Sequence, residues 1–357
     1  MGAAEQLKAG KLTALAVAAD FGGMMPNRPL IAAIGCGGTI SSLGRDSMDV
    51  LDYPDFGTKL PIDQVLARYP EIATVANVMP VPFRSVGSTA IGPLEWLELT
   101  VVIHRLATER PELAGFVIPH GTATLEETAY FLHLALKTDK TVVVVGAQRP
   151  ASAFGSDAGM NLLGAVRTAS APAARGLGVL VTLNDEIHSA REATKTSTYR
   201  LQTFRSPDFG LLGHIDGDGV QIYREPRRRH APHTEFDVAA FSGLPRVDIA
   251  YSYGGADGTV VDALVAAGAS GIVSAGLAPG IPASLERSAL ERARDAGVVV
   301  VQSSRAGSGR VALRRYLDEA RMVAADNLNP QKARILLMLA LAQTRDIGEI
   351  RRMFTIY

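Results

Sequence analysis

Three threonine-bearing segments carry the residue types that could do chemistry. In "AAIGCGGTISS" (32–42), Thr39 directly follows a Gly-rich turn at the end of an apolar run. Gly35, Gly37 and Gly38 let backbone come close to a ligand. A nucleotide-binding loop, a structural turn and a nucleophilic Thr39 compete for this segment. A nucleotide site wants G-x-G-x-x-G or a P-loop Lys, and neither is present. In "PHGTATLEET" (119–128), Gly121 and Thr122 stand just before a helix start, where free N–H groups and the helix dipole favour negative charge. The next residue, Ala123, is a methyl group where polar groups usually gather. In "NDEIHSAREATKTST" (184–198), Lys195 lies between two threonines. Desolvation beside apolar strands would lower its pKa and suit it to moving protons, although alone it reads as an ordinary surface lysine.

Other candidates have plainer readings. Cys36 beside Thr39 could be a nucleophile, but as the lone cysteine it excludes a disulfide framework and a Cys-based zinc site. His230 and His233 in "HAPH" lack a placed third ligand, so they read as linker and no metal is expected. The cluster "REPRRRH" (224–230) reads as a solvated linker face, and Trp96 as core. Lys+Arg and Asp+Glu are both 36, so nothing attracts nucleic acid or anionic lipid over long range. The apolar runs are too short to span a membrane.

The elements that must position these residues follow from the apolar pattern. The chain has 357 residues, 47% hydrophobic and 20% charged, enough for about two domains with sizeable cores. Runs at 30–35, 113–119, 141–146 and 177–183 are Val/Ile/Leu-rich and do not alternate, as parallel strands covered on both faces require. Helical stretches separate them. In 124–137, Leu125, Ala129, Leu132 and Leu136 share one face, and Thr124 with Glu127 forms a capping-box signature. The alternation predicts a doubly wound α/β domain over 29–222. The pattern breaks near 215, where "DGDG" reads as a hairpin tip, and a linker follows at 223–245. Strand and helix candidates at 247–253, 259–268, 271–276, 284–297 and 298–304 then predict a smaller α/β domain over 246–357, with 329–344 as its closing helix. Residues 1–28 read as an N-terminal extension, an amphipathic helix with a faint likeness to a signal peptide, and cytoplasmic residence is the expectation.

Taken together, "GGTI", "HGTATLEETAYFL", "VGAQRP", "NDE…RxxTKT" and "LNPQKAR" occur in an order and at intervals that resemble the bacterial L-asparaginase/glutaminase family, from about residue 30 to the C-terminus. The resemblance implies that family's two-domain fold, a cofactor-free amidohydrolase, a small-molecule amide substrate, and a homotetramer built as a dimer of dimers. It implies that Thr39 is the nucleophile and Tyr53, in "DVLDYPDFG", its activator. Thr122 and Lys195 match the Thr–Lys part of the second catalytic group. Ser88, in "VGSTAIG", matches the Ser that holds the substrate's carboxylate, and Gly38 and Gly121 line the site.

Four positions depart from the family. The Asp after the second Thr is Ala123, and the Gln after the carboxylate-binding Ser is Thr89. The Asn of the "YNY" step is Ser252, and a Glu supplied by the neighbouring subunit falls near Arg314. The Asp and Glu would face a substrate's α-ammonium. Their loss leads to the expectation of a pocket that does not recognise an amino acid by its ammonium. The alternatives are a true L-asparaginase or glutaminase in which Asp46, Asp49 or Asp52 compensates, and an inactive binding paralogue.

Overall fold

The structure, a computed structural model, describes residues 28–357, so the expected N-terminal extension lies almost wholly outside the described residues. The first part of the chain forms twelve strands: β1 (Leu30–Gly37), β2 (Ser42–Leu43), β3 (Thr58–Lys59), β4 (Asn77–Val86), β5 (Leu113–Pro119), β6 (Thr141–Val145), β7 (Val179–Leu183), β8 (Glu186–Ser189), β9 (Thr194–Lys195), β10 (Phe204–Arg205), β11 (Gly213–Asp216) and β12 (Gly219–Ile222). The helices among them are α1 (Tyr53–Phe56), α2 (Ile62–Ala67), α3 (Pro93–Glu109), α4 (Leu125–Ala135) and α5 (Ala158–Ser170). Eight strands make one sheet in the order β12-β11-β8-β7-β6-β5-β1-β4. Its β4, β1, β5, β6 and β7 are parallel, and β8, β11 and β12 extend it antiparallel.

Both faces of the parallel strands are covered, which is why those runs do not alternate in sequence. Alternate residues of β1 serve opposite cores, as a period of two dictates. Ala32 and Ile34 pack with Leu99 and Ile103 of α3 and Leu125, Ala129 and Leu132 of α4. Ile31 and Ala33 pack with Ile62 and Val65 of α2 and Leu162 and Ala165 of α5.

The second sheet begins at Val247. It comprises β13 (Val247–Tyr251), β14 (Gly271–Gly276), β15 (Val299–Ser304) and β16 (Val323–Ala324), all parallel and in sequence order. Its helices are α6 (Thr259–Ala266), α7 (Ser284–Asp295), α8 (Arg315–Glu319), α9 (Pro330–Leu341) and α10 (Ile347–Ile356). The two sheets meet through one shared core, in which Tyr130, Phe131 and Leu134 of α4 pack with Ile335 and Leu339 of α9 and with Phe236.

Three local expectations are corrected. The stretch 329–344 does not close the chain, because α10 follows, capped by the Asp346 side chain accepting from Glu349 N at 2.8 Å. That helix buries Ile350, Met353 and Phe354. The Thr124–Glu127 capping box does not form either. The Thr124 hydroxyl has a tertiary acceptor, donating to Ser88 O at 2.8 Å, and Glu127 faces Arg334 at 3.8 Å. The basic cluster at 224–230 is more engaged than a solvated face: Arg224 pairs with Glu192, and Arg228 pairs with Asp326.

Candidate active site

Three adjacent parallel strands deliver the site. β4, β1 and β5 lie side by side, and the segments carrying Ser88, Thr39 and Thr122 leave their carboxyl ends. Ligands of open α/β sheets bind at such ends. The backbones there touch: a Cβ on Gly38, whose φ is +82°, would lie 2.1 Å from Gly121 Cα. A Cβ on Gly121 would lie 2.9 Å from Ser88 Oγ. Only two glycines let the Thr39 and Thr122 turns approach this closely.

Thr39 opens a short 3-10 turn, half-buried, and its Oγ1 hydrogen-bonds the Tyr53 hydroxyl at 2.8 Å. Tyr53 starts α1 at the end of a loop organised by carboxylates. Asp49 accepts from the backbone N–H of Arg45, Asp52 and Tyr53, each at 3.0 Å, and Asp46 accepts from Met48 N at 2.7 Å. Both acids are therefore engaged in shaping the loop. Burial raises the Tyr53 pKa above its ordinary value, and the Thr39 hydrogen bond lowers it. The phenol is neutral near pH 7, so it can relay a proton without carrying a standing charge.

Thr122 is buried, and Lys195 Nζ donates to its Oγ1 at 2.7 Å. Burial lowers the Lys195 pKa. Among the described residues no carboxylate ion-pairs with it. The structure thus brings Gly38, Thr39, Tyr53, Ser88, Gly121, Thr122 and Lys195 to one region. Ala123 and Thr89 are exposed beside it in the single chain.

Two expected site residues do not join this cluster. Ser252, directly after β13, is fully buried, its hydroxyl donating to Glu286 Oε2 at 2.6 Å. Glu286 also accepts from Ala283 N at 3.0 Å, so the Ser252 hydroxyl is spent on a helix start within its own domain. Arg314 donates to Gly280 O at 2.9 Å, and its Nε is buried without an acceptor among the described residues.

The minor candidates resolve simply. Cys36 is buried, and burial pushes its thiol up to about 12, so no thiolate forms near neutral pH. His230 packs against His133, ring centroids 5.3 Å apart and planes tilted by 42°. Trp96 is core, its Nε1 donating to Thr128 Oγ1 at 2.9 Å. Among the described residues no helix is long and apolar enough to cross a membrane.

Sequence reasoning missed Glu126, which is buried and accepts from Asn329 Nδ2 at 3.1 Å and Gln331 Nε2 at 3.3 Å. The available signal was one of two acids in the motif "HGTATLEET", at the start of a helix that is mostly apolar. It also missed Asp157, which accepts from Gln148 N and Arg149 N at 2.9 Å and holds the loop after β6.

Comparison with known proteins bears on the fold and family of the chain. Residues 30–228 match the family described as Asparaginase, N-terminal, and residues 246–354 match the Glutaminase/Asparaginase C-terminal domain. The chain is 40% identical to a glutaminase-asparaginase of Pseudomonas fluorescens biotype A, over 92% of this chain and 90% of that protein. It is 40% identical to L-asparaginase 2 of Escherichia coli K12, over 97% and 99%. A probable cytoplasmic L-asparaginase from Campylobacter jejuni superimposes with a TM-score of 0.89 at 37% identity, covering 92% of this chain and 100% of that one. The same two-domain fold is present here.

Proposed function

The chain belongs to the asparaginase family and is an amidohydrolase, and from that premise we propose that it cleaves a carboxamide lacking a free α-amino group through an acyl-enzyme on Thr39. Thr39 Oγ1 attacks the amide carbonyl carbon, and its proton passes by way of Tyr53 to the leaving nitrogen. Ammonia or an amine departs and an ester remains on Thr39. Water then attacks the ester, the Thr122–Lys195 pair takes up its proton, and a proton is returned to Thr39 Oγ1 as the ester bond breaks and the acid is released, which restores both groups. Ser88 holds a substrate carboxylate. Backbone N–H groups beside Thr122, at the start of α4, receive the developing oxyanion. A hydroxyl needs such help because it is weak at its free pKa.

The observation that carries the specificity is Ala123. The side chain next to Thr122 is a methyl, and among the described residues no carboxylate pairs with the Lys195 ammonium. An α-ammonium drawn into that region has no acid in the Ala123 position to meet it. Asp49 and Asp46 are occupied by backbone donors. A simple carboxylic amide, a succinamate-like acid or an N-blocked asparagine fits instead.

The second reading, hydrolysis of L-asparagine or L-glutamine, is favoured by relatives named for those activities at 40% identity. Comparing kcat/KM for L-asparagine and for succinamate, its des-amino analogue, decides between them. A preference for succinamate of about 10²-fold or more is expected, from a cost of about 3–5 kcal/mol for a buried unpaired charge. A clear preference for L-asparagine overturns this reading in favour of the second.

We also propose that the site is completed in a dimer of dimers, because Ala123 and Thr89 are open in the single chain and Tyr251, Tyr253 and Leu313 are exposed on the second domain. Light scattering that shows an active monomer would overturn this. Cytoplasmic residence remains the proposal, although a similar protein of Haemophilus influenzae is described as a probable periplasmic L-asparaginase.

A further inference from the structure

Lys195 sits in a sparsely supported stretch of the first domain. Its strand β9 has two residues, paired only with β10 through Lys195↔Phe204 and Thr194↔Arg205. Beyond it, Thr196, Thr198, Tyr199 and Arg200 are exposed. Thr196 and Ser197 are held to Thr203, Thr196 N and Oγ1 each donating to Thr203 O at 2.8 Å, but these bonds tie the segment to its own hairpin and do not set Lys195 against Thr122.

The missing support comes from the second domain of the same chain. Lys332, in the first turn of α9, is 2% exposed and extends its ammonium to Arg191 O at 2.9 Å and to Ala193 O. Asn329, which caps α9, donates to Thr194 Oγ1 at 3.3 Å and to Glu126 Oε2 at 3.1 Å. Gln331 donates to Glu126 Oε1 at 3.3 Å, and Lys332 Nζ lies 4.0 Å from Glu126 Oε2. Glu126 in turn accepts from Lys195 N at 3.4 Å and stands four residues after Thr122. The two segments that must present Lys195 and Thr122 to each other are therefore bound to one helix end. Burying an ammonium and a carboxyl group in this way is costly, and Lys332 feels it: burial lowers its pKa to about 8.

We propose that the start of α9, through Lys332 and Asn329 with Glu126 as the bridge, is a positioning clamp that sets Lys195 against Thr122. The second domain thereby controls the rate of its own chain's catalytic group. None of these residues touches the substrate; they act through the backbone of residues 191–195. This inference rests on the role proposed above for Lys195.

The test uses the full-length assembled protein and the faster of succinamate and L-asparagine as substrate. Lys332→Met keeps the side-chain length and removes both carbonyl hydrogen bonds. Because it strands Glu126, the Glu126→Gln/Lys332→Met pair is made alongside it, with the carboxyl neutralised. Thr194→Val, which removes only the Asn329 hydrogen bond, is the mild variant that keeps the core charges intact. Circular dichroism and light scattering establish fold and assembly for each. The expected result is a kcat lowered about tenfold or more by the Lys332 variants and a few-fold by Thr194→Val, with KM within about twofold of the parent. Amide exchange should quicken in residues 191–196 ahead of the rest of the chain. Parent kcat in the folded variants overturns the clamp, as does a loss that appears only in KM or only with loss of assembly. Lys195→Met is the control. If it is inactive while the clamp variants keep parent kcat, the clamp alone fails; if it keeps turnover, the role of Lys195 fails and the clamp with it.

Discussion

Lys195 and Thr122 are 73 residues apart in the chain and meet at 2.7 Å, Nζ to Oγ1. The contact joins a two-residue strand to the turn after β5. The lysine is half-buried, and burial moves its pKa downward, with no acid among the described residues holding the proton on.

That balance predicts the pH dependence. A lysine that takes up a proton must first be neutral. Activity should therefore rise with pH through a midpoint below the ordinary lysine value of 10.5. The sign for stability is the same: the unfolded chain binds this proton more readily, so its burial costs stability at low pH and the cost fades as pH rises. Ala123→Asp would place a carboxylate beside the ammonium, favour the charged form and move the activity midpoint upward. A kcat/KM profile measured from pH 6 to 10 on both proteins checks this, and an unchanged or lowered midpoint in the variant contradicts it.

Thr39 and Tyr53 share a single hydrogen bond, so their variants should differ in kind. Thr39→Ala removes the attacking oxygen and should lower kcat by about 10³-fold or more. Tyr53→Phe removes only the relay and should cost about 10²-fold or more. Neither should unfold the protein, because Thr39 and Tyr53 are both only half-buried and neither belongs to a hydrophobic core. Mass spectrometry with a slow substrate should find the acyl group on the peptide containing Thr39 in the parent and in Tyr53→Phe, and not in Thr39→Ala. Full turnover in Thr39→Ala would end the acyl-enzyme proposal.

The contact between Gly38 and Gly121 carries a stability prediction. Gly38→Ala puts a Cβ into the neighbouring backbone at a φ of +82° that other residues resist. The turn must spread, at about 2 kcal/mol or more. The urea midpoint should fall accordingly, and activity should fall further than stability because the spread separates Thr39 from Thr122. An alanine variant as stable and active as the parent would show that the turns do not need this approach.

The central parallel strands were legible because they are buried on both faces and therefore read as unbroken apolar runs; β1, β5, β6 and β14 fall within two residues of the expectation at either end, whereas β4, which leads to Ser88, is only partly buried and breaks its apolar residues with prolines and polar groups. The four residues Leu125, Ala129, Leu132 and Leu136 do share one core. What failed was local chemistry overridden from a distance. Thr124 looked like half of a capping box, but its hydroxyl serves Ser88 O, 36 residues away. The last helix was overlooked although Asp346 and Glu349 marked its start. At the site, spacing alone left Thr39 ambiguous and Lys195 ordinary; motif resemblance brought them together. Glu126 escaped because its partners Asn329 and Gln331 lie about two hundred residues on, where no periodicity reaches.

The last prediction asks how much of the specificity one residue holds. Ala123→Asp restores a carboxylate next to Thr122, so on its own it could pair an α-ammonium. The rest of the amino-group site would still be missing. Ser252 is buried with its hydroxyl committed to Glu286, and an Asn there would have to displace that 2.6 Å bond. Arg314 carries a positive charge at the position where the family resemblance implies an acid, and like charge repels an ammonium. One restored partner of two should recover part of the unpaired-charge cost of about 3–5 kcal/mol, where about 1.4 kcal/mol is tenfold. Ala123→Asp should therefore raise kcat/KM for L-asparagine by about tenfold or less and leave succinamate the better substrate. Adding Arg314→Glu should raise it further, and only in the assembled protein if the second domain faces a neighbour's site. Steady-state kinetics on the single and double variants provide the measurement. A single variant that already prefers L-asparagine would mean that Ala123 alone sets the specificity and that Ser252 and Arg314 play no part.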